Sequence, residues 1–184
     1  AFIAGAETGI RIGLAVDGGF HHTGHHATGM VSHFASAVTA GKLILGGSNS
    51  TTSVATIASG ATLQLGNNNA GGSIASTSIV DNGTLSFNRT DAVLDLASTI
   101  SGTGGVSQIG SGTTTLSGNN TYGGTVTVDK GTLVLTGSNS TTAVATIAGP
   151  GTLQLGNNTN TGSLASASIV DNGTLEIKRS NAMQ

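Results

Sequence analysis

One stretch of this chain occurs twice, and the duplication constrains the possible folds more than any other feature. Residues 41–89 align with residues 131–179 at a constant offset of 90 without a gap, and 34 of 49 positions are identical. Each copy contains short runs, such as GKLIL at 41–45 and NGTLSF at 82–87, in which apolar and polar residues alternate. Such alternation is typical of β-strands with one buried face, so the sequence predicts an array of strands.

The spacing of leucines within each copy predicts how this array is wound. The leucine of the strand motif recurs at the same two intervals in both copies, at Leu43, Leu63, Leu85, Leu133, Leu153 and Leu175. These intervals are in the range of solenoid proteins, in which each turn of the chain packs on its neighbours. We therefore predict an all-β parallel solenoid over residues 41–184, with coils of roughly 22 residues. Its duplicated unit covers residues 41–130 and, incompletely, 131–184. Four coils per unit would place Leu63 and Leu153 at equivalent inward positions.

Composition limits both the core and the partners. Aromatic residues make up only 3% of the chain, so Leu, Ile, Val, Ala and Thr must fill narrow, regular layers. With 8% charged residues and a net charge of -2, the chain has no basic stripe, and we expect no nucleic-acid partner. It has no cysteine, and no apolar run approaches the roughly 20 residues of a membrane-spanning helix, so we expect no membrane insertion of this segment.

Residues 1–40 differ from the repeats and are predicted to form an amino-terminal cap or assembly segment. An alternating run predicts one amphipathic strand, whose apolar residues are Ile10, Ile12, Leu14 and Val16. A polar loop, FHHTGHH at 20–26, follows. Met30, Phe34 and Val38 then have the spacing of a short helix. A solenoid needs a cover on its first coil, because exposed strand edges favour association.

The stretch ISGTGGVSQIGSGTTTLSGNNTYGGTVTVDKGTLVL at 100–135 resembles the autotransporter-associated β-strand repeat of type V secreted passenger domains. The positions that match the family pattern are Gly110, Gly112, Leu116, Gly118, Asn120, Tyr122, Gly124, Thr125, Val126, Gly131 and Leu133. The resemblance covers this stretch closely and the flanking copies loosely. It implies a right-handed β-helix that is secreted and exposed at a bacterial cell surface.

A histidine cluster is the one chemically suggestive group in the chain. His21, His22, His25 and His26 lie close together in sequence, with His33 further on. Three converging imidazoles would bind zinc, copper or nickel without a carboxylate or thiolate. The alternative is a solvated loop with no ligand, because a Gly-containing loop does not fix the geometry that a metal site requires. We expect no cofactor.

Two Asp-Asn-Gly sequences, at 81–83 and 171–173, have two interpretations. Oxygen donors on turns are what calcium needs, but the dense acidic repeat of calcium-binding β-rolls is absent. Asp, Asn and Gly are also the residues that tight turns prefer, so turns between coils are the favoured interpretation. Asn side chains at successive turns are expected to stack as a hydrogen-bonded ladder.

Two non-enzymatic functions fit these features best. The first is a structural or adhesive rod in a surface-displayed passenger, with a host-surface or matrix ligand. The second is an extracellular filament subunit that self-associates end to end, the strand at 10–16 of one copy covering an open coil near residues 175–184 of the next. A β-helical polysaccharide-acting enzyme is a weaker hypothesis, because no nucleophile elbow or acid pair is present. An ice-binding solenoid is weaker still, since the Thr positions do not recur in every coil.

Overall fold

The computed structural model describes residues 37–50, 54–91 and 93–180. The strand predicted at 10–16, the His-rich loop and the first two residues of the predicted helix lie outside these ranges. Val38, the last residue of that predicted helix, instead lies in the first strand and is buried. The stack of strands therefore already includes residue 37.

The described residues form an all-β parallel solenoid whose coils each contribute one strand to three faces. The first face contains β1 (Ala37–Val38), β4 (Ala55–Ile57), β7 (Ser78–Asp81), β10 (Thr99–Gly102), β13 (Asn120–Tyr122), β16 (Ser138–Ser140) and β19 (Ser163–Ala165). The second contains β2 (Lys42–Leu45), β5 (Thr62–Asn69), β8 (Thr84–Arg89), β11 (Gly105–Gln108), β14 (Val126–Val128), β17 (Val144–Ile147) and β20 (Ser168–Asp171). The third contains β3 (Ser48–Ser50), β6 (Ser73–Ala75), β9 (Leu94–Leu96), β12 (Thr113–Leu116), β15 (Gly131–Leu135), β18 (Gly151–Thr159) and β21 (Thr174–Arg179), and its hydrogen-bonded pairing is interrupted between β6 and β9.

Register partners measure the length of each coil. The shortest step joins partners such as Asn120 and Asn139, and the longest joins partners such as Asn139 and Leu164. The predicted period of roughly 22 residues lies between these two steps. Strands in neighbouring layers are about 4.8 Å apart, so seven layers make a stack about 30 Å long.

The core is a column of aliphatic side chains inside the coil. Alternation along each strand turns one set of residues inward, and the register then stacks Leu on Leu or Val from layer to layer. The leucines that the spacing singled out are buried in the first six layers, whereas Leu175 in the last layer is only partly buried. The predicted thin, regular core is confirmed.

The predicted count of four coils per duplicated unit is wrong, and the duplicated copies consequently lie on different faces. Leu63 lies in β5 on the second face, whereas Leu153, its duplicate, lies in β18 on the third. Between these strands the chain passes four full coils and one additional strand, because the coils are shorter than predicted where no long loop intervenes. Every feature of the first copy is therefore repeated one face further around the stack.

The described ranges contain strands and turns but no helix, and hence no helix that is long and apolar enough to cross a membrane.

Candidate functional site

Neither group of predicted site residues falls in the described ranges. His21, His22, His25 and His26 lie before residue 37, and so do Ile10, Ile12, Leu14 and Val16. The metal site and the assembly strand therefore stay predictions. Within residues 37–50, 54–91 and 93–180, no three His, Cys, Asp or Glu side chains come together in a way that would hold a metal ion.

The first Asp-Asn-Gly sequence forms a tight corner between β7 and β8. Asp81 Oδ1 accepts a hydrogen bond of 2.9 Å from the Gly83 N–H, which closes the turn locally. Asn82 N–H donates to Ile57 O of the preceding coil at 2.8 Å. Because the side chain of Asp satisfies the backbone of its own turn, the interpretation as a turn between coils accounts for this sequence without calcium.

The following coil covers this corner. Gly104 N–H donates to Asp81 O at 2.7 Å, and Asn82 Oδ1 accepts hydrogen bonds from both N–H and Oγ1 of Thr103, each at 3.2 Å. The cover leaves Asp81 with no exposed surface, and its Oδ2 has no hydrogen-bond partner among the described residues. Burial raises the pKa of Asp81 to about 6, and the hydrogen bond from Gly83 lowers it in part.

The second Asp-Asn-Gly sequence forms the same corner without a cover. Gly173 N–H donates to Asp171 Oδ1 at 3.0 Å, and Asn172 N–H donates to Ile147 O at 2.8 Å. Asp171 and Asn172 are exposed. The two corners thus have the same local structure and differ in what lies above them.

Inward-facing asparagines stabilise turns on two of the faces. Asn49 on the third face and its duplicate Asn139 on the first each donate from Nδ2 to the carbonyl oxygen two residues earlier, at 2.8 and 2.9 Å. Asn120, in the layer before Asn139, makes the same local contact with Gly118 O at 3.0 Å. It also bonds Asn139 directly. The expected stacking of Asn side chains is confirmed for this pair.

An ion pair closes the end of β8. Arg89 is largely buried and binds both carboxylate oxygens of Asp91, with 2.8 Å between Nε and Oδ1. Its Nη1 also donates to Gly72 O, which belongs to the loop at 66–72. The hydrogen bonds from Arg89 lower the pKa of Asp91. In the second copy Arg179 instead donates to Asn160 O at 2.8 Å, in the loop at 156–162. Both arginines therefore fix a long loop to the coil above it.

The grooves on the surface are lined by small polar residues. One groove of about 580 Å³ lies beside the loop at 156–162, and its walls are formed by Ser, Thr, Asn and Gly residues of three coils together with Arg179. It contains no carboxylate, histidine or aromatic ring. General acid–base chemistry and sugar stacking both require such groups, so this groove offers hydrogen bonding alone.

Comparison with protein families identifies the repeat. The model of the passenger-associated-transport-repeat matches residues 40–65, 106–135 and 146–177. This chain is built from passenger-associated-transport repeats. The second match lies within the stretch that resembled the autotransporter repeat, so that resemblance is confirmed. Comparisons with curated proteins and with solved structures gave no match.

Each passenger repeat ends on the same kind of strand. The three matches stop at Leu65, Leu135 and Ile177, and the last five residues of each are Ala or Gly, then Thr-Leu, any residue, and Leu or Ile. The first of these strands lies on the second face and the other two on the third. The repeat is therefore defined by a local strand motif, and the motif does not need a fixed face of the solenoid.

Sequence reasoning missed the residues that cover the first corner. Residues 102–105, Gly-Thr-Gly-Gly, were assigned only to the Gly-rich beginning of a repeat, although they contact all three residues of the Asp81 turn. A signal was present, because this sequence follows the first VDNG turn at a distance of one coil.

Proposed function

We propose that this region is a non-enzymatic structural rod in the passenger of a secreted bacterial protein, displayed at the cell surface. The observation that carries the proposal is the aliphatic column that continues through layers belonging to all three passenger repeats. In such a stack each coil is stabilised by its neighbours, so the rod keeps its shape as coils are added. A stiff element of this kind holds whatever it carries at a fixed distance from the cell.

The exposed loops suit the rod to weak adhesive contact with a host surface or matrix. The loops at 66–72 and 156–162 carry Asn, Thr and Gly, and Asn68 and Asn158 adopt positive φ angles of 55° and 58° at equivalent places. The first loop joins the second and third faces, and the other joins the third and first faces. Because they lie at different corners, a flat ligand surface would meet one loop at a time, and avidity would come from several displayed copies.

Display on cells tests the proposal directly. The full chain, with an amino-terminal epitope tag, would be fused ahead of a type V translocation domain and expressed in a bacterium. We expect the tag to be accessible to antibody on intact cells, and a Leu85→Asp variant to lose display because it places an unpaired charge in the column. Thr99→Ala, at an exposed position two layers from the loop at 156–162, is the matched control. Display of Leu85→Asp at the level of the parent would contradict the proposed role of the folded stack.

Adhesion is measured in the same cells. Cells displaying the parent should bind surfaces coated with matrix proteins more strongly than cells displaying a variant in which both loops are replaced by Gly-Ser sequences. Equal binding, with display unchanged, would leave the rod as a spacer without an adhesive role.

Electron microscopy of the purified chain separates the rod from the filament alternative. We expect short, monodisperse rods, with the described part contributing about 30 Å of length. Fibres at high protein concentration would favour the filament, and deletion of residues 1–18 should then convert the fibres into short rods.

A further inference from the structure

The last described coil, comprising β19, β20 and β21, is named here the open coil, and its apolar residues are unusually exposed. Ile169 is 37% exposed and Ile177 is 50% exposed, whereas their duplicates Ile79 and Phe87 are completely buried. Val170 is 46% exposed. Residues 78–87 and 168–177 are identical at eight of ten positions, so the difference comes from the coil that covers the first copy.

The side of the open corner that faces the preceding coil is the same as in the covered corner. At Gly83, an added Cβ would lie 2.2 Å from Ala61 O and 2.5 Å from Ala58 O. At Gly173 the same atom would lie 2.5 Å from Gly151 O and 2.2 Å from Ala148 O, the duplicates of those two residues. The corner is therefore already formed before a cover is present, and the first copy shows how a cover binds to it.

In the first copy the cover is a strand–corner–strand segment at 99–108. β10 pairs in parallel with β7, β11 pairs in parallel with β8, and the corner between them is Gly-Thr-Gly-Gly. Thr103 binds Asn82 Oδ1 through two donors, and Gly105 N–H donates to Gly83 O at 3.1 Å. The cover thus recognises the turn by its side chain as well as by its backbone.

Two glycines make this contact possible. A Cβ on Gly102 would lie 2.2 Å from Asp81 O, and one on Gly104 would lie 2.4 Å from Asp81 Oδ1 and 2.7 Å from Gly83 N. Gly102 also has a φ of 113°, a conformation that side chains disfavour. Any larger residue at either position would separate the cover from the turn.

We propose that the open coil binds one further parallel β-coil whose corner has the pattern Gly-Thr-Gly-Gly. Asn172 Oδ1 accepts the two hydrogen bonds of the partner threonine, and the two outer glycines of the Gly-Thr-Gly part pack against Asp171. The strand before that corner pairs with β20 and covers Ile169, and the strand after it pairs with β21 and covers Ile177. This inference requires only that coils stack, and it is independent of display at a cell surface.

Other occupants of the open coil supply this pattern less well. The predicted assembly strand at 10–16 has the sequence IRIGLAV, with a single glycine at Gly13, so it cannot place glycine on both sides of a threonine. In a second copy of this chain the Gly-Thr-Gly-Gly at 102–105 already covers its own Asp81 turn. A separate segment that resembles residues 99–108 is the partner that fits.

A peptide titration tests the proposal with the full chain. A synthetic peptide of residues 93–108, which contains the three strand segments around one corner, would carry two added lysines for solubility and be titrated into isotope-labelled protein. We expect saturable changes in the amide resonances of residues 168–177. A Gly104→Ala peptide should bind about tenfold more weakly or worse. A Thr99→Ala peptide, altered at a residue that is exposed in the first copy, should bind like the parent peptide.

Matched variants of the protein complete the test. Asn172→Ala should weaken binding of the parent peptide severalfold, whereas Asn82→Ala, in the corner that is already covered, should leave it unchanged. Absence of saturable changes up to the solubility limit of the peptide, or equal binding of the parent and Gly104→Ala peptides, would overturn the proposal. Concentration-dependent shifts of 168–177 without peptide would also overturn it, since the occupant would then be a second copy. None of these results would alter the outcome of the display experiment.

Discussion

Nδ2 of Asn120 donates a hydrogen bond of 2.7 Å to Oδ1 of Asn139, its register partner in the next coil. Both side chains are buried, and Oδ1 of Asn120 accepts the N–H of Ile100 from the preceding coil at 2.8 Å. The amides therefore link three successive layers on the first face. In a low-dielectric interior such a chain of hydrogen bonds is strong only while every member has its partner.

Asn139→Ala should destabilise the solenoid by about 1–3 kcal/mol, because it removes an acceptor from a buried donor and leaves Gly137 O without its side-chain bond. Urea unfolding followed by circular dichroism measures this change. Thr121→Ala is the control, since Thr121 is exposed on the neighbouring strand and should change the free energy of unfolding by less than about 0.5 kcal/mol. Equal changes in the two variants would show that the ladder contributes no stability.

Strands with alternating apolar residues were predictable from the sequence, whereas short polar strands were not. β15 and β18 coincide with predicted runs because their leucines mark the buried face. Asn120–Tyr122 and Ser138–Ser140 contain residues typical of turns, and no strand was predicted there. They are strands because the coils above and below supply backbone partners, and this pairing depends on register between distant residues.

The arrangement of the two copies was also beyond the sequence. The leucine period gives the mean coil length, but the face on which a motif lies depends on the sum of all loop lengths between the copies. A coil that contains a long loop, such as the one from Ser48 to its partner Ser73, is longer than a coil without one, such as that from Asn120 to Asn139. A small error in each coil therefore moved the second copy by one face.

Asp81→Asn should stabilise the protein at pH 7. The pKa of Asp81 is about 6 in the folded protein and 3.8 for an unperturbed Asp, so protonation favours the fold. The stability associated with this carboxyl is complete below about pH 4 and is lost as pH rises through 6, by about 3 kcal/mol at most. Asn keeps the acceptor for the Gly83 N–H, so the variant and parent should be similar at pH 4, with the variant up to about 3 kcal/mol more stable at pH 7.

Thermal unfolding at several pH values, compared between Asp81→Asn and the parent, measures this difference. Asp171→Asn is the internal control, because Asp171 occupies the same turn in an exposed corner. It should change the melting temperature little at either pH. A pH-independent difference between Asp81→Asn and the parent would contradict the assignment of the effect to titration of this carboxyl.

Leu153→Asp should abolish folding, since Leu153 is completely buried between Leu133 and Leu175 and its replacement leaves an unpaired charge in a narrow core. Leu63→Asp should have the same effect in its own layer. Thr152→Asp, one residue earlier and half-buried, should be tolerated. Circular dichroism and secretion yield measure the outcome. If Leu153→Asp folds and Thr152→Asp does not, the inward and outward assignment of β18 is reversed.

Gly104→Ala should destabilise the solenoid by about 1–3 kcal/mol, because the new methyl group meets Asp81 Oδ1 at 2.4 Å. Gly47→Ala is the matched control: no atom lies within 4 Å of its added Cβ, and the change should be within about 0.5 kcal/mol. A double-mutant cycle with Asp81→Ala separates the clash from other effects, since removing the carboxylate should reduce the cost of Gly104→Ala. If that cost is the same in both backgrounds, contact with Asp81 is not what requires glycine at position 104.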